Sequence, residues 1–233
     1  MGDNDLLVRC VGVARTYGTG PNAVVAVHGV NCEIVAGQRV ALTGPSGSGK
    51  STLVHLFAGL DAPTVGTLSW PALGGPDELR PGPVGVVFQG PSLLAPLDVM
   101  ENVALPLILA GSSEAQARAG AAEALDHLGL RALGAKLPEE LSGGQAQRVA
   151  VARVLAGRPR LVLADEPTGQ LDHPTAAGVI DALLKTTAAL RAGLVVTTHD
   201  PLVAKRLPQR WHMADGALVG AGPLSTESTP CSA

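Results

Sequence analysis

Apolar residues recur along this chain with two different spacings. Short, nearly unbroken apolar runs predict strands over residues 39–43, 84–88, 161–164 and 194–198, and an earlier β-rich stretch covers residues 6–13 and 24–28. Helical spacing takes over elsewhere. Leu53, Leu56, Phe57 and Leu60 fall on one face of a helix over residues 51–60, and further helical patterns cover residues 99–110, 113–128 and 144–156. The last of these puts Val149, Ala152 and Leu155 or Ala156 on one side. Leu161 to Ala164 shows no polar alternation, which suits the buried middle of a parallel sheet with both faces covered by helices. Strand signals are missing between about residues 91 and 156, so the chain reads as an α/β domain with a helical segment set into it. No internal repeat or coiled-coil heptad is present.

The strand and helix at residues 39–60 frame the loop Gly44-Pro45-Ser46-Gly47-Ser48-Gly49-Lys50-Ser51-Thr52. Strand, glycine-rich loop and helix in this order are the context of a phosphate-binding P-loop. Glycines let successive backbone N–H groups turn into a concave anion site, where a helix N-terminus adds partial positive charge. Lys50 then reaches the β- and γ-phosphates, Ser51 binds Mg²⁺ and Thr52 adds a hydroxyl near the phosphates. Asp165 and Glu166 end the strand 161–164, where side chains point into the crevice in which open α/β sheets bind ligands. Adjacent strand residues point in different directions, so one carboxylate can face a metal and the other water. Standing alone, such a pair could equally end a strand in solvent. Ser142-Gly143-Gly144-Gln145 fits a capping box at the start of the helix 144–156. Its glycines permit close approach of an anion, although the pattern by itself is also that of an ordinary capped helix.

Composition narrows the class. With 46% hydrophobic and 16% charged residues, the 233-residue chain can build one substantial core. The longest apolar candidate for a membrane span, residues 99–110, is interrupted by Glu101, Asn102 and Pro106. The acidic start is not a secretory signal. Cys10, Cys32 and Cys231 are few and scattered, which points to a reduced cytoplasmic setting without a metal cluster. A net charge of −3 gives no basic footprint for nucleic acid. Residues 220–233, rich in Gly, Ser, Thr and Pro, read as a disordered tail.

Taken together, Gly44 to Thr52, Leu141-Ser142-Gly143-Gly144-Gln145 and Leu161-Val162-Leu163-Ala164-Asp165-Glu166 resemble the nucleotide-binding subunit of an ATP-binding cassette (ABC) transporter. The resemblance runs from about Leu6 to Val219. It implies a P-loop ATPase fold with a mostly parallel core sheet, an antiparallel β-subdomain and a helical subdomain inserted at about residues 91–156. In that family Asp165 would hold Mg²⁺ through water, and Glu166 would act as the general base toward the attacking water. Gln89, after the strand 84–88, resembles the glutamine that contacts Mg²⁺ and water. His199, in Thr197-Thr198-His199-Asp200, resembles the switch histidine that senses the γ-phosphate, and Tyr17 the aromatic that stacks on adenine. Ser142 to Gln145 would serve the ATP of a second copy, so that a head-to-tail homodimer sandwiches two ATP molecules.

Within the family, Glu101-Asn102-Val103-Ala104-Leu105-Pro106-Leu107 and Ala164-Asp165-Glu166-Pro167-Thr168-Gly169 resemble the branch of lipoprotein release, macrolide-type export and the cell-division ATPase FtsE. That branch implies a separate integral-membrane permease, a peripheral position on the cytoplasmic face of the membrane, and export or mechanical work. An FtsE-like regulatory role without transport is the alternative. The permease would dock beside Pro91-Ser92-Leu93-Leu94-Ala95-Pro96-Leu97. Two departures stand out. Gln170 replaces the branch's usual asparagine, and residues 70–83 carry four prolines and three glycines where a short helix is usual, which makes a helix there improbable.

Overall fold

The computed structural model describes residues 5–169 and 171–220. Gln170, Cys231 and, apart from Gly220, the whole of the tail expected over residues 220–233 lie outside the described residues. The first half of the chain runs β1 (Leu6–Tyr17), β2 (Val24–Val35), β3 (Arg39–Thr43), α1 (Lys50–Phe57), β4 (Val65–Ser69) and β5 (Val84–Val87). Three helices follow, α2 (Val99–Leu109), α3 (Glu114–His127) and α4 (Gly143–Ala156). The chain then alternates through β6 (Leu161–Asp165), α5 (His173–Leu190), β7 (Gly193–Thr197), α6 (Pro201–Ala204), β8 (Gln209–Ala214) and β9 (Ala217–Val219).

Two sheets result. Strands β2, β1 and β4 form an antiparallel sheet, and a second sheet has the order β5-β6-β7-β3-β8-β9. Its first five strands are parallel and only β9 runs antiparallel, against β8. Alternate residues of the central strands enter different cores. Leu161 and Leu163 of β6, with Val40, Leu42 and Val195, pack against α1 and the antiparallel sheet. Val162 and Ala164, with Ala41, Leu194 and Val196, pack against the core formed by α2 to α5. Both faces are buried, which is why no polar alternation marks these strands. No helix among the described residues is long and apolar enough to cross a membrane.

Helix α1 ends at Phe57, and Leu60 is 46% exposed rather than part of its apolar face as the spacing predicts. Residues 70–83 form no helix beyond a short 3₁₀ turn, Pro76–Glu78, and instead close the end of α1. The buried Trp70 indole donates to the Phe57 carbonyl at 2.7 Å, and the Arg80 guanidinium donates to the carbonyls of Ala58 and Gly59. The last carbonyls of a helix lack intrahelical partners, so these donors satisfy them inside the core. In the same way the fully buried Asn102 pins the loop before α2. Its amide donates to the carbonyls of Leu94, Leu97 and Asp98, while its oxygen accepts the Leu94 N–H at 2.8 Å.

Trp70→Phe keeps most of the packing but leaves the Phe57 carbonyl buried without its donor. Urea denaturation should show a loss of about 1–2 kcal/mol; an unchanged midpoint would mean that the bond contributes nothing to the fold.

Candidate nucleotide site

The parallel register aligns the ends of three strands. Leu42 of β3 lies opposite Thr197 of β7, and Thr197 opposite Asp165 of β6, so their C-terminal loops leave the sheet at one level. The loop after β3 is held from both sides. A Cβ on Gly44 would sit 2.2 Å from the Met213 carbonyl oxygen of β8, and one on Gly49, whose φ is +97°, would sit 2.2 Å from the Ala26 carbonyl oxygen of β2. Only glycine allows that approach and that backbone conformation. Ser51 and Thr52 then open α1, with Ser51 exposed at its first turn, while Pro45, Ser46 and Gly47 form the exposed crest of the loop.

Lys50 is 94% buried, since only 6% of it is exposed. Its ammonium donates to the carbonyl oxygens of Gly44 at 3.0 Å and Pro45 at 2.9 Å, and its nearest carboxylate oxygen, on Glu166, is 4.0 Å away. A buried cation with neutral partners and one loosely placed carboxylate is under-compensated. The neighbouring Ser48 hydroxyl is also buried and has no hydrogen-bond partner among the described residues. The loop therefore fits a bound polyanion.

Glu166 stands at the centre of the side-chain group. Its Oε2 lies 3.1 Å from His199 Nδ1, and the Gln89 amide nitrogen and Glu166 Oε2 lie 3.6 and 3.4 Å from where a Gly169 Cβ would sit. Its backbone takes the left-handed φ of +43°, a strained conformation for a residue with a Cβ. Asp165 points the other way and is 8% exposed. A cleft of about 330 Å³ opens beside Glu166 and His199, bounded by Thr168, Leu171, His173 and Asp200. The structure thus brings Lys50, Gln89, Glu166 and His199 into one neighbourhood, with Asp165 adjoining.

Ser142, Gly143, Gly144 and Gln145 do not join that group. The Ser142 hydroxyl accepts the Gln145 N–H, and the Gln145 side chain accepts the Ser142 N–H, a complete capping box. Ser142 and Gly143 are exposed, and Gly144 packs so closely on Thr175 of α5 that an added Cβ would lie 2.5 Å from its methyl group. Tyr17, the last residue of β1, is 40% exposed, with the Arg15 guanidinium 4.6 Å from its ring centre and its hydroxyl donating to Asp61.

Two residues of the site escape the sequence reading. The buried Thr197 hydroxyl donates to Asp165 Oδ1 at 2.6 Å and accepts the Glu166 N–H at 2.7 Å, so one side chain holds both carboxylate residues. Buried Gln147 of α4 donates to the Phe88 carbonyl at 3.1 Å and steadies the chain just before Gln89. A hydroxyl within an apolar strand and an amide on the buried face of a helix are the only signals either leaves in the sequence.

Known proteins resemble this chain in sequence and fold. A family model described as ABC transporter covers residues 27–169. The lipoprotein-releasing system ATP-binding protein LolD of Legionella pneumophila (strain Paris) is 40% identical over 92% of this chain and 98% of its own length. LolD of Pseudomonas fluorescens is 39% identical over 91% and 97%. Among solved structures, the dimeric post-hydrolysis ATP-binding cassette MJ0796, bound to ADP and Pi, superimposes with a TM-score of 0.83 at 36% identity over 95% of this chain and all of that one. The transporter component cbiO1 from Clostridium perfringens gives 0.80 at 28% identity over 92% and 87%. With the glycine loop, the paired carboxylates and the capped Ser142 helix all in the corresponding fold, the chain belongs to the ABC transporter family, as an ATP-binding subunit with that family's ATPase activity.

Proposed function

We propose that this chain binds ATP between two head-to-tail copies of itself and uses its hydrolysis to drive a separate membrane permease. The observation that carries the reading is the buried Lys50 ammonium, which lacks a close counter-charge until phosphates enter the loop. Backbone N–H groups of the glycine loop and the Lys50 ammonium hold the β- and γ-phosphates, and Tyr17 carries the adenine. Ser51, Asp165 and Gln89 offer the oxygen donors that suit Mg²⁺, and the described residues contain no cluster of three or more His, Cys, Asp or Glu that could hold a metal unaided. The ion would take its remaining oxygens from ATP and water, and it would neutralise charge on the phosphates. Glu166, oriented by Thr197 through its own amide, accepts a proton from the attacking water. His199 and Gln89 position that water and the γ-phosphate.

Ser142 and Gln145 hydrogen-bond each other within the helix cap, and neither bonds Lys50 of the same chain. The exposed helix N-terminus favours an anion, and a second copy provides one in its bound ATP. MJ0796 forms a dimer when bound to ADP and Pi, which supports the same assembly here.

For the permease, the LolD relatives belong to a lipoprotein-releasing system, and a transporter of that class supports a peripheral, cytoplasmic-face position for this subunit. The surface we assign to it is the loop after Gln89. Leu94 is 44% exposed while its backbone is fixed by Asn102, and Arg153 of α4 donates to the carbonyls of Ser92 and Pro91. An apolar side chain held outward on a fixed loop suits a partner surface.

Lys50→Ala should reduce ATP hydrolysis by at least about a hundredfold, because it removes the charge facing the phosphates; retained turnover would overturn the site. Glu166→Gln should bind ATP without hydrolysing it, so that size-exclusion chromatography shows a dimer with ATP and a monomer with ADP. A monomer under both conditions would count against the sandwich. Leu94→Glu should abolish co-purification with the permease while the isolated subunit hydrolyses ATP at its normal rate, and undiminished association would remove this loop from the interface.

A further inference from the structure

Tyr17 is held more tightly than a surface tyrosine needs to be. It shares one face of β1 with Arg15, two residues earlier, and the guanidinium lies 4.6 Å from the ring centre, within the range of a cation–π contact. Asp61, from the loop after α1, joins the two. Its Oδ2 accepts the Tyr17 hydroxyl at 2.7 Å and Arg15 Nε at 2.9 Å, while its Oδ1 accepts Arg15 Nη2 at 2.8 Å and the Ala62 N–H at 2.8 Å. The ring is thus anchored at its backbone, at its hydroxyl and across one face. The opposite face is the one left for a ligand.

Along the sheet, Tyr17 lies close to the phosphate loop. Tyr17 pairs with Val24 of β2, and two residues along the same strand the Ala26 carbonyl meets Gly49. Two strand residues span about 7 Å. An isolated surface ion pair contributes little to stability, so a fork of four donors on one carboxylate, closed around the single tyrosine of the chain, calls for another purpose.

We propose that Asp61 and Arg15 are positioning residues for nucleotide binding: they fix the ring plane of Tyr17 so that the purine base of ATP stacks on its open face in one orientation. This rests on the reading of Tyr17 as the adenine platform. Burial pushes the Asp61 carboxyl up, but the Tyr17 hydroxyl, the Ala62 amide and the Arg15 guanidinium outweigh it and hold the group below the ordinary carboxylate range. Asp61 therefore stays ionised, and the latch closed, throughout the neutral range.

The test measures the dissociation constants of ATP and of inorganic tripolyphosphate, which has no base, for the full chain and for Tyr17→Phe, Asp61→Asn, Arg15→Met and Tyr17→Ala. Loss of the hydroxyl bond in Tyr17→Phe, and of the carboxylate charge that grips Arg15 in Asp61→Asn, should each weaken ATP binding by about threefold to tenfold, with Arg15→Met in the same direction. Tripolyphosphate binding should not change. The double variant Tyr17→Phe with Asp61→Asn should lose less than the sum of the two single losses, because both changes act on the Tyr17–Asp61 contact. Tyr17→Ala should lose more than tenfold toward ATP, since stacking itself is gone. If Tyr17→Ala binds ATP normally, the platform reading fails and takes the latch with it. If Tyr17→Ala is weak while Tyr17→Phe and Asp61→Asn bind normally, the platform stands and the latch is refuted. Equal losses toward ATP and tripolyphosphate would show that the cluster supports the fold instead, and would also overturn the proposal.

Discussion

The register of three parallel strands is the constraint on which the rest of the molecule depends. Leu42, Thr197 and Asp165 lie in one row, so the glycine loop, the His199 turn and the Glu166 turn all leave the sheet at the same height. A slip of one residue in any of these pairings would send its side chains to the opposite face. The glycine loop adds a second, steric constraint, because Gly44 and Gly49 lie against backbone carbonyls of β8 and β2 with no room for a side chain. The loop's shape is therefore set by the backbone around it, and Lys50 is buried in it at a cost that a bound polyanion offsets.

Helix α4 links this loop system to the rest of the chain. Through Gln147 it holds the carbonyl before Gln89, through Arg153 it holds the carbonyls of Pro91 and Ser92, and its capped N-terminus is exposed beside α5. Gly144 lets Thr175 of α5 pack directly on that N-terminus, and Asp172 caps α5 at the same point. One rigid element thus touches the proposed catalytic neighbourhood, the proposed permease loop and the surface assigned to the second copy. A shift of α4 on closure of the dimer would be felt at Leu94 without any flexible relay, which is the physical content of coupling in this reading.

Much of this was legible in the sequence where the signal is local. The glycine loop, the strand ending in Asp165 and Glu166, and the Ser142 box each follow from short-range rules of backbone conformation and capping. The antiparallel sheet was less legible. Strand β1 runs to Tyr17 and β2 to Val35, well past residues 13 and 28, because bulges near Gly12 and beyond shift the register and break the period of two on which strand recognition relies. Leu60 fits the helical spacing but lies outside α1, because that spacing continues for three residues after Trp70 and Arg80 cap the helix from 13 or more residues away. Asn102, Thr197 and the Tyr17–Asp61 bond share that cause: each depends on a partner brought near only by the complete fold, and a lone polar residue carries no mark of whom it will meet.

The central claim is that the site is shared, with Lys50 of one copy and Ser142 of the other facing the same ATP. It is tested most directly by counting the nucleotide retained in mixed dimers of Lys50→Ala and Ser142→Arg subunits. Each variant alone should trap no ATP, since both of its sites are damaged. In the mixed dimer one site carries both defects and the other carries neither, so one ATP per dimer should be retained. If both homodimers trap none and the mixed dimer also traps none, each chain completes its own site, and the head-to-tail arrangement is wrong.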